Sequence, residues 1–417
     1  MLTGLTSRLG RLRLGGGYLG YRGFCQFFVA VLLITTMPQQ SFALWEWRDA
    51  QSSADVRLAL RVMGNALYAR DNAADQSGLS AVGRLLFQGH RGENWAFDFN
   101  MYHAQVPASL LGTDPVADVE RSSLLDYSYS DNAYAHSTVD RMSVRWSHPN
   151  LDVVVGRQAV NLATTFYFSP NDLFGSFRAQ TFYREYKPGV DALQLTYAVN
   201  PLSVLSWYSV LAYRSDTSSS SGWSDSPEWS RSSHLARLTF VRGTAEWGFI
   251  GGSVRGDELV AGSVSAEAFQ WLGLRAEAQL RRHETERFTR VSLGLEHRWE
   301  NSLDARLELF YNGNGAGQVS QYNPAAVVDT VYLARRYAAV GVSYEFMPLL
   351  LGQLMVLVNR DDHSYLLSAN SVYSLDNESE LAFSIALPGG RRAQSGFPQS
   401  EYGSGAYSIA LEWRMYQ

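Results

Sequence analysis

The sequence has little cysteine and lacks recognisable metal or hydrolase motifs. Its single cysteine is Cys25, so neither an intrachain disulfide nor a cysteine-based metal site is expected. The eight histidines are scattered without metal-ligand spacing, and no G-x-S-x-G nucleophile motif occurs. These absences disfavour an enzyme, and we expect no metal and no cofactor.

Long apolar runs are also scarce. After residue 43, no stretch approaches the roughly 20 consecutive apolar residues that a transmembrane helix needs. Hydrophobic residues nevertheless make up 46% of the chain and aromatic residues 13%, while the mean hydropathy is only -0.17. Apolar and polar side chains are therefore finely mixed. Such mixing is typical of membrane strands, because a closed barrel is the other way to satisfy every backbone N–H and C=O group in lipid.

The N-terminus has the composition of a secretory signal peptide. Four arginines and no acidic residue precede the 14-residue apolar run Phe24–Met37, and Ser41-Phe42-Ala43 offers a small-x-small cleavage site. We predict a signal peptide over residues 1–43, cleaved after Ala43. An uncleaved anchor is the alternative, but the run is short and Pro38 ends it. Removing the four arginines changes the formal net charge from -5 to -9, which argues against a nucleic-acid partner.

Alternation of apolar and polar residues characterises the rest of the chain. The first predicted strand alternates Val56, Leu58 and Leu60 with Arg57, Ala59 and Arg61. This period of two directs apolar residues to lipid and polar residues to a lumen. Its repetition predicts an all-β fold: a transmembrane antiparallel β-barrel of about 18 strands over residues 55–417, after a periplasmic lead over 44–54. A barrel of about 16 strands is the alternative, if the weak hairpin around residues 251–271 is misread.

Two kinds of connection alternate along the predicted strands. Longer polar loops are predicted near residues 107–135, 161–187 and 216–230. Outer-membrane barrels show this asymmetry, with short periplasmic turns and long external loops, so we expect the tight turns to be periplasmic. The predicted tight turns are Arg91-Gly92-Glu93, Pro149-Asn150, Asn200-Pro201, Arg242-Gly243, Leu272-Gly273, Asn301-Ser302, Met347-Pro348 and Asp376-Asn377.

The last residues form one apolar face of a closing strand. Tyr407, Ile409, Leu411, Trp413 and Met415 alternate with more polar neighbours. The pattern resembles the C-terminal assembly signal of outer-membrane proteins, although Met415 stands where that signal has an aromatic residue. It implies two partners, the barrel-insertion machinery and outer-membrane lipid, and a location in the outer membrane.

Charged residues of both signs fall on predicted lumen-facing positions. In one interpretation they pair across neighbouring strands and stiffen the wall. In the other, a subset forms a selectivity ring that faces the permeant. The pore-lining candidates are Arg57, Arg61, Arg145, Arg157, Asp191, Arg275, Arg281, Arg306 and Glu308.

The predicted loop from Asn161 to Lys187 carries eight aromatic residues, too many for a loop exposed to water. Either it folds into the barrel mouth and narrows the pore, or it lies as an aromatic girdle against lipid headgroups. We favour the inward loop, because the interleaved polar residues need water or pairing. The candidates for this constriction loop are Asn171, Asp172, Phe174, Phe177 and Arg178.

Three motifs frame this loop: Gly156-Arg157-Gln158, Pro170-Asn171-Asp172-Leu173-Phe174 and Lys187-Pro188-Gly189-Val190-Asp191-Ala192. Over about 40 residues they resemble porin-like Gram-negative outer-membrane barrels, a group that includes polysaccharide-export barrels. The resemblance implies that Arg157 and Gln158 end a strand beside the pore. It also implies that Asn171 and Asp172 fix an inward loop, and that the returning strand starts at Gly189.

Three functions are compatible with these patterns. The first is secretion of a polysaccharide across the outer membrane, with that polymer and a periplasmic polysaccharide-export protein as partners. It rests on the family resemblance and on the 23 tyrosines and 11 tryptophans, whose rings can stack on sugars. The second is a general or substrate-selective diffusion porin for small solutes. The third is a structural sheath for a periplasmic or surface partner, and a rim-located protease or lipase is a minor enzymatic alternative.

Overall fold

The computed structural model describes residues 44–70, 74–107, 120–130, 133–216, 223–323, 330–394 and 398–416. The predicted signal peptide and its cleavage site lie outside these residues. Within the described ranges, no helix is long and apolar enough to cross a membrane.

The regular structure of the described ranges consists of strands and three short 3-10 helices, Ser123–Leu125, Trp229–Arg231 and Val319–Gln321. The strands are β1 (Trp45–Arg48), β2 (Ser52–Tyr68), β3 (Gln76–Arg91), β4 (Trp95–Pro107), β5 (Asp126–Ser130), β6 (Ala133–His148), β7 (Leu151–Gln158), β8 (Val190–Asn200), β9 (Ser203–Val210), β10 (Tyr213–Ser215), β11 (Trp223–Pro227), β12 (Ser233–Arg242), β13 (Ala245–Val254), β14 (Asp257–Ala268), β15 (Leu272–His283), β16 (Glu286–Arg298), β17 (Asp304–Asn312), β18 (Arg336–Met347), β19 (Leu350–Asn359), β20 (Tyr365–Ser374), β21 (Ser379–Gly389) and β22 (Tyr407–Tyr416).

Eighteen of these strands form one closed antiparallel barrel. Each pairs with its neighbours in chain order, and β22 returns to pair with β2, from Tyr407 opposite Tyr68 to Tyr416 opposite Ala59. The remaining four strands are accessory: β1 extends along β2, β5 pairs with β6, and β10 pairs with β11. The prediction of an all-β barrel of 18 strands is confirmed. The alternative of 16 is wrong, because the weak hairpin is present as β13 and β14.

All eight predicted tight turns map to one end of the barrel, which we name the short-turn end. One of them is misplaced by a few residues. Leu272 and Gly273 already belong to β15, and the turn is Phe269–Trp271. Phe269 and Gln270 adopt left-handed backbone angles, with φ of 57° and 64°. Residues other than glycine rarely adopt such angles, so neither residue marks a turn in the sequence.

The opposite, long-loop end carries nine connections, among them residues 159–189 between β7 and β8. The alternation of apolar and polar residues gives each strand two different faces. On β17, Leu307 and Leu309 are exposed on the outer surface, whereas Glu308 between them is only 2% exposed. Apolar residues face outward because lipid solvates them, and polar residues turn to the lumen. The lumen is filled mainly around residues 159–189, where both buried apolar clusters lie.

Candidate functional site

The candidate site is the lumen, which is crossed by residues 159–189, here named the inward loop. The loop starts after Gln158, whose buried side-chain amide donates to the carbonyls of Val154 and Ala192 and so joins β7 to β8. Leu162, Phe168 and Phe174 of the loop are each 1% exposed or less. The prediction of an inward aromatic loop is confirmed, and the lipid-girdle alternative is wrong, because these side chains pack on the inner wall.

Two glutamates of the barrel wall hold the loop backbone. Glu308 on β17 accepts hydrogen bonds from the amides of Tyr167 at 2.7 Å and Phe168 at 2.9 Å, and from Phe166 as well. Glu277 on β15 receives the amides of Thr164, Thr165 and Asn171. A loop without regular structure leaves such amides unpaired. The ionised carboxylates satisfy them with bonds stronger than those between neutral groups.

Aromatic packing fixes the same stretch of the loop. Phe168 stacks on Phe310 of β17 with ring centres 5.0 Å apart, and Tyr332 meets its ring edge-on at 5.2 Å. Phe174, farther along, enters the second apolar cluster with Leu235 of β12. Since stacked and edge-on aromatic pairs add about 0.5 to 1.5 kcal/mol each beyond their burial, the loop is held by packing as well as by hydrogen bonds.

An ion pair joins the middle of the loop to its C-terminal end. Lys187, the only lysine of the chain, binds Asp172, and both side chains are almost fully buried. The loop then closes onto β6, where the Gly189 amide donates to the Asp140 carboxylate at 3.1 Å. A Cβ atom at Gly189 would lie 2.0 Å from the Asp140 carbonyl oxygen, so only glycine fits this close approach.

The far part of the loop reaches the wall formed by β2, β3 and β22. Tyr183 lies 4.1 Å from the Arg414 guanidinium and 5.1 Å from that of Arg61, and Tyr186 lies 4.1 Å from Arg84. These five residues line a cavity of about 250 Å³. All three arginines are paired with acids, Arg61 with Glu412 at 2.6 Å, Arg84 with Asp140 at 2.9 Å and Arg414 with Glu380 at 2.7 Å.

A second cavity, of about 1130 Å³, lies at the short-turn end and is lined by wall and turn residues, Arg275, Glu296 and Arg306 among them. Arg275 donates to Glu296 at 2.8 Å and to the Thr164 carbonyl at 3.1 Å. The Phe166 ring is covered by Arg306 at 4.3 Å. Both signs of charge therefore border this part of the lumen.

Several pore-lining candidates are enclosed in the wall. Arg157 binds Asp191 at 2.7 Å and also the Ser122 carbonyl, while Arg281 binds Asp257 at 2.8 Å. The Arg157 and Arg281 side chains are 3% and 1% exposed. This geometry matches the wall-stiffening interpretation. Contact of Arg157, Asp191 and Arg281 with a permeant stays a prediction, and the low exposure of these side chains does not support it.

The other candidates are more accessible. Arg61, Arg275 and Arg306 border the two cavities, Arg145 is exposed, and Arg57 is exposed beside Asp55. Glu308 is covered by the loop that it binds. For the accessible arginines, a role in selectivity stays a prediction.

The constriction candidates share one loop but differ in their surroundings. Asn171 donates its side-chain amide to the Gly262 carbonyl at 3.0 Å, and Asp172 is in the ion pair described above. Phe174 is completely buried against the inner wall, whereas Phe177 borders the 250 Å³ cavity. The Arg178 carbonyl accepts the Thr181 amide at 3.0 Å, forming a local turn. Narrowing of the channel by individual side chains of this set stays a prediction.

Sequence reasoning did not select Glu277, Arg84, Arg414 or Tyr183 as site residues. It placed Glu277 and Arg84 on the lumen face by their alternation and Tyr183 in the aromatic loop, and the alternation around Arg414 allows the same assignment. Their partners could not be inferred, since Glu277 and Asn171 are separated by 106 positions in the chain.

No protein-family model and no curated protein sequence matches the chain. Among solved structures, it is similar to OccAB1 of Acinetobacter baumannii, with a TM-score of 0.59 and 11% identity over 91% of this chain and 99% of that one. OccK9 (OpdG) of Pseudomonas aeruginosa gives a TM-score of 0.55 and 13% identity over 87% and 98%. OpdK of the same species, solved with vanillate, gives 0.54 and 11% over 87% and 98%. The fold is that of an outer-membrane porin.

At this level of identity the likeness concerns the fold. It confirms the predicted resemblance to porin-like Gram-negative barrels. The outer-membrane location predicted from the sequence agrees with this fold and with the apolar outer surface of the strands.

Proposed function

We propose that the chain is an outer-membrane diffusion channel for small solutes, narrowed by the inward loop. The observation that carries the proposal is the fixation of this loop to opposite parts of the wall. Glu277 and Glu308 hold it on one side, and Tyr183 and Tyr186 meet the arginines of β2, β3 and β22 on the other. A lumen divided in this way leaves restricted openings beside the loop.

Polysaccharide secretion gains no support from this geometry. A chain of sugars needs a continuous passage through the barrel, whereas the inward loop is fixed to the wall on both sides, by Glu277 and Glu308 on one and by Tyr183 and Tyr186 on the other. The diffusion porin, our second candidate from the sequence, fits better.

The openings further suggest selection for small organic anions. Arg61, Arg84 and Arg414 stand around aromatic rings in one cavity, and guanidinium groups match the geometry of carboxylates. Vanillate, present in the OpdK structure, is an aromatic carboxylate. For this chain we propose that an aromatic carboxylate passes with its anionic group at these arginines and its ring at Tyr183 or Tyr186.

Planar-bilayer recordings test both the proposed channel function and the proposed selection for anions. The purified protein should conduct ions, and benzoate should reduce the current more strongly than neutral benzamide. Arg61→Gln should raise the half-blocking concentration of benzoate tenfold or more, because a hydrogen bond to a charged group contributes about 1.5 to 3 kcal/mol. Arg282→Gln, at an exposed side chain of the long-loop end, is the matched control.

Equal block by benzoate and benzamide would exclude anion selection. Absence of any conductance by correctly folded barrels would exclude the diffusion channel itself.

A further inference from the structure

Three exposed arginines lie together at the long-loop end, on the outside of the barrel. Arg336 begins β18, Arg335 precedes it, and Arg360 follows the last residue of β19. The backbone amide of Arg360 donates to the carbonyl of Arg336 at 2.9 Å, so the two residues are neighbours across strands. Arg336 shares the outer face of β18 with the exposed Val340, four residues along the strand. We name Arg335, Arg336 and Arg360 the arginine cluster.

Two tyrosines place the arginine cluster at the depth of the lipid headgroups. Tyr311 on β17 lies opposite Arg336, and Tyr365 on β20 lies opposite Val358, two residues before Arg360. Both tyrosines are exposed on the outer surface. Tyrosines of membrane proteins concentrate where the hydrocarbon core meets the headgroups. Since outer-membrane barrels turn their long loops to the exterior, these headgroups belong to the outer leaflet.

The positive charge of the cluster faces outward, whereas the nearby acids are buried behind it. Arg336 binds Asp361, and its side chain is 64% exposed while that of Asp361 is 1% exposed. Asp361 also accepts the backbone amides of Arg335 and Arg336 at 3.0 Å and 2.7 Å. Asp362 is buried as well and accepts three hydrogen bonds from described residues. Within the described part of the chain, neither Arg335 nor Arg360 forms an ion pair. A group that approaches from the lipid side therefore meets guanidinium groups first.

Other parts of the same rim are built differently. On β9 and β12 the outward residues near the connections are Ser209 and His234, which form a hydrogen bond with each other at 3.1 Å. On β15 and β16 the exposed Arg282 and Arg287 lie opposite each other, but there the exposed Glu258 binds Arg282 at 3.4 Å. The arginine cluster differs from both arcs because its cations are outside and its acids are inside.

We propose that the arginine cluster binds the phosphate group of a phosphorylated lipid in the outer leaflet. Guanidinium groups form paired, charge-assisted hydrogen bonds with phosphate oxygens. The acyl chains of the same lipid lie against the apolar outer face of β18 and β19, where Val340 and Leu354 are exposed. A free phosphate ion makes only the first of these contacts, so an anionic amphiphile fits this surface better. The site lies outside the barrel and does not depend on the proposed channel function.

Native mass spectrometry of the purified protein in detergent micelles tests the site. The wild type should bind dioleoyl phosphatidic acid more tightly than dioleoylglycerol, which has the same acyl chains and no phosphate. Each arginine near an anionic headgroup strengthens binding about fivefold, so Arg360→Gln should raise the Kd of phosphatidic acid about fivefold and Arg335→Gln with Arg360→Gln about thirtyfold. Arg360→Lys keeps the charge and should retain most of the affinity. Arg242→Gln, at an exposed side chain of the short-turn end, is the matched control and should bind like the wild type.

Equal affinity for phosphatidic acid and dioleoylglycerol, or wild-type affinity in both the single and the double glutamine variant, would overturn the proposal. An equal loss of affinity in Arg242→Gln would show that total charge rather than this cluster attracts the lipid, and would overturn it as well. Inorganic phosphate that binds as tightly as phosphatidic acid would assign the cluster to a free anion instead of a lipid. If the double variant does not fold, Arg360→Gln decides, because Arg360 holds no acid within the described residues.

Discussion

Glu308→Gln should release the inward loop without changing its length. Of the two carboxylate oxygens of Glu308, Oε1 receives Phe166, and Oε2 receives Tyr167 and Phe168. Glutamine has only one acceptor oxygen, and its amide group must face at least one of these three donors. At least one buried amide thus loses its partner, and the other two lose a charged acceptor.

The size of the effect follows from these contacts. An unpaired buried donor costs about 1 to 3 kcal/mol, and replacing a charged acceptor by a neutral one weakens each remaining bond. We expect a local destabilisation of about 2 to 4 kcal/mol, which corresponds to a roughly 30- to 1,000-fold larger opening equilibrium for the loop. The barrel should still form, because the backbone pairing of β17 with β16 and β18 does not involve this side chain.

Two measurements check this prediction. Single-channel recordings should show a larger or noisier conductance, and hydrogen exchange should accelerate in residues 164–171. Glu345→Gln, at a half-exposed carboxyl on β18, serves as the control and should behave like the wild type. The double variant Glu308→Gln with Glu277→Gln should show a larger effect than Glu308→Gln alone. If both variants keep the conductance and the exchange rates of the wild type, these carboxylates do not hold the loop.

Three further predictions concern the barrel and the loop. Leu307→Arg should destabilise the barrel by roughly 2 to 4 kcal/mol if it lies near the bilayer midplane, whereas Leu307→Met should be nearly neutral in a folding titration in lipid vesicles. A cysteine at Asn150 in a tight turn of the short-turn end should resist an impermeant thiol label on intact cells, while one at Glu284 should react; the reverse result would invert the barrel. Lys187→Met should lower loop stability by about 3 to 5 kcal/mol, because Asp172 then remains buried without a cation. Adding Asp172→Asn should recover much of this lost protection in hydrogen exchange, and no recovery would mean that the ion pair does not stabilise the loop.

The sequence alone determined the architecture, because the alternation of apolar and polar residues along a membrane strand is a local pattern that shows which face each side chain occupies. The alternation around Leu307 and Glu308 assigns each residue to lipid or lumen without knowledge of its neighbours. Turn residues such as Pro149-Asn150 mark where the strands reverse. The aromatic content of the inward loop required a buried location, and only the lumen or the lipid boundary could provide one.

The tertiary structure decided which residues meet across the lumen. Nothing near Glu308 in the chain shows that it accepts amides of the inward loop, because Phe168 lies 140 positions earlier. Likewise Arg157 appears in the sequence as one more lumen-facing arginine, and only the register of β7 against β8 places it on Asp191. Such contacts depend on the number of strands, their stagger and the path of the loop together. A pattern with a period of two residues carries no information about them, and the position of the inward loop on the wall is set only when the barrel closes.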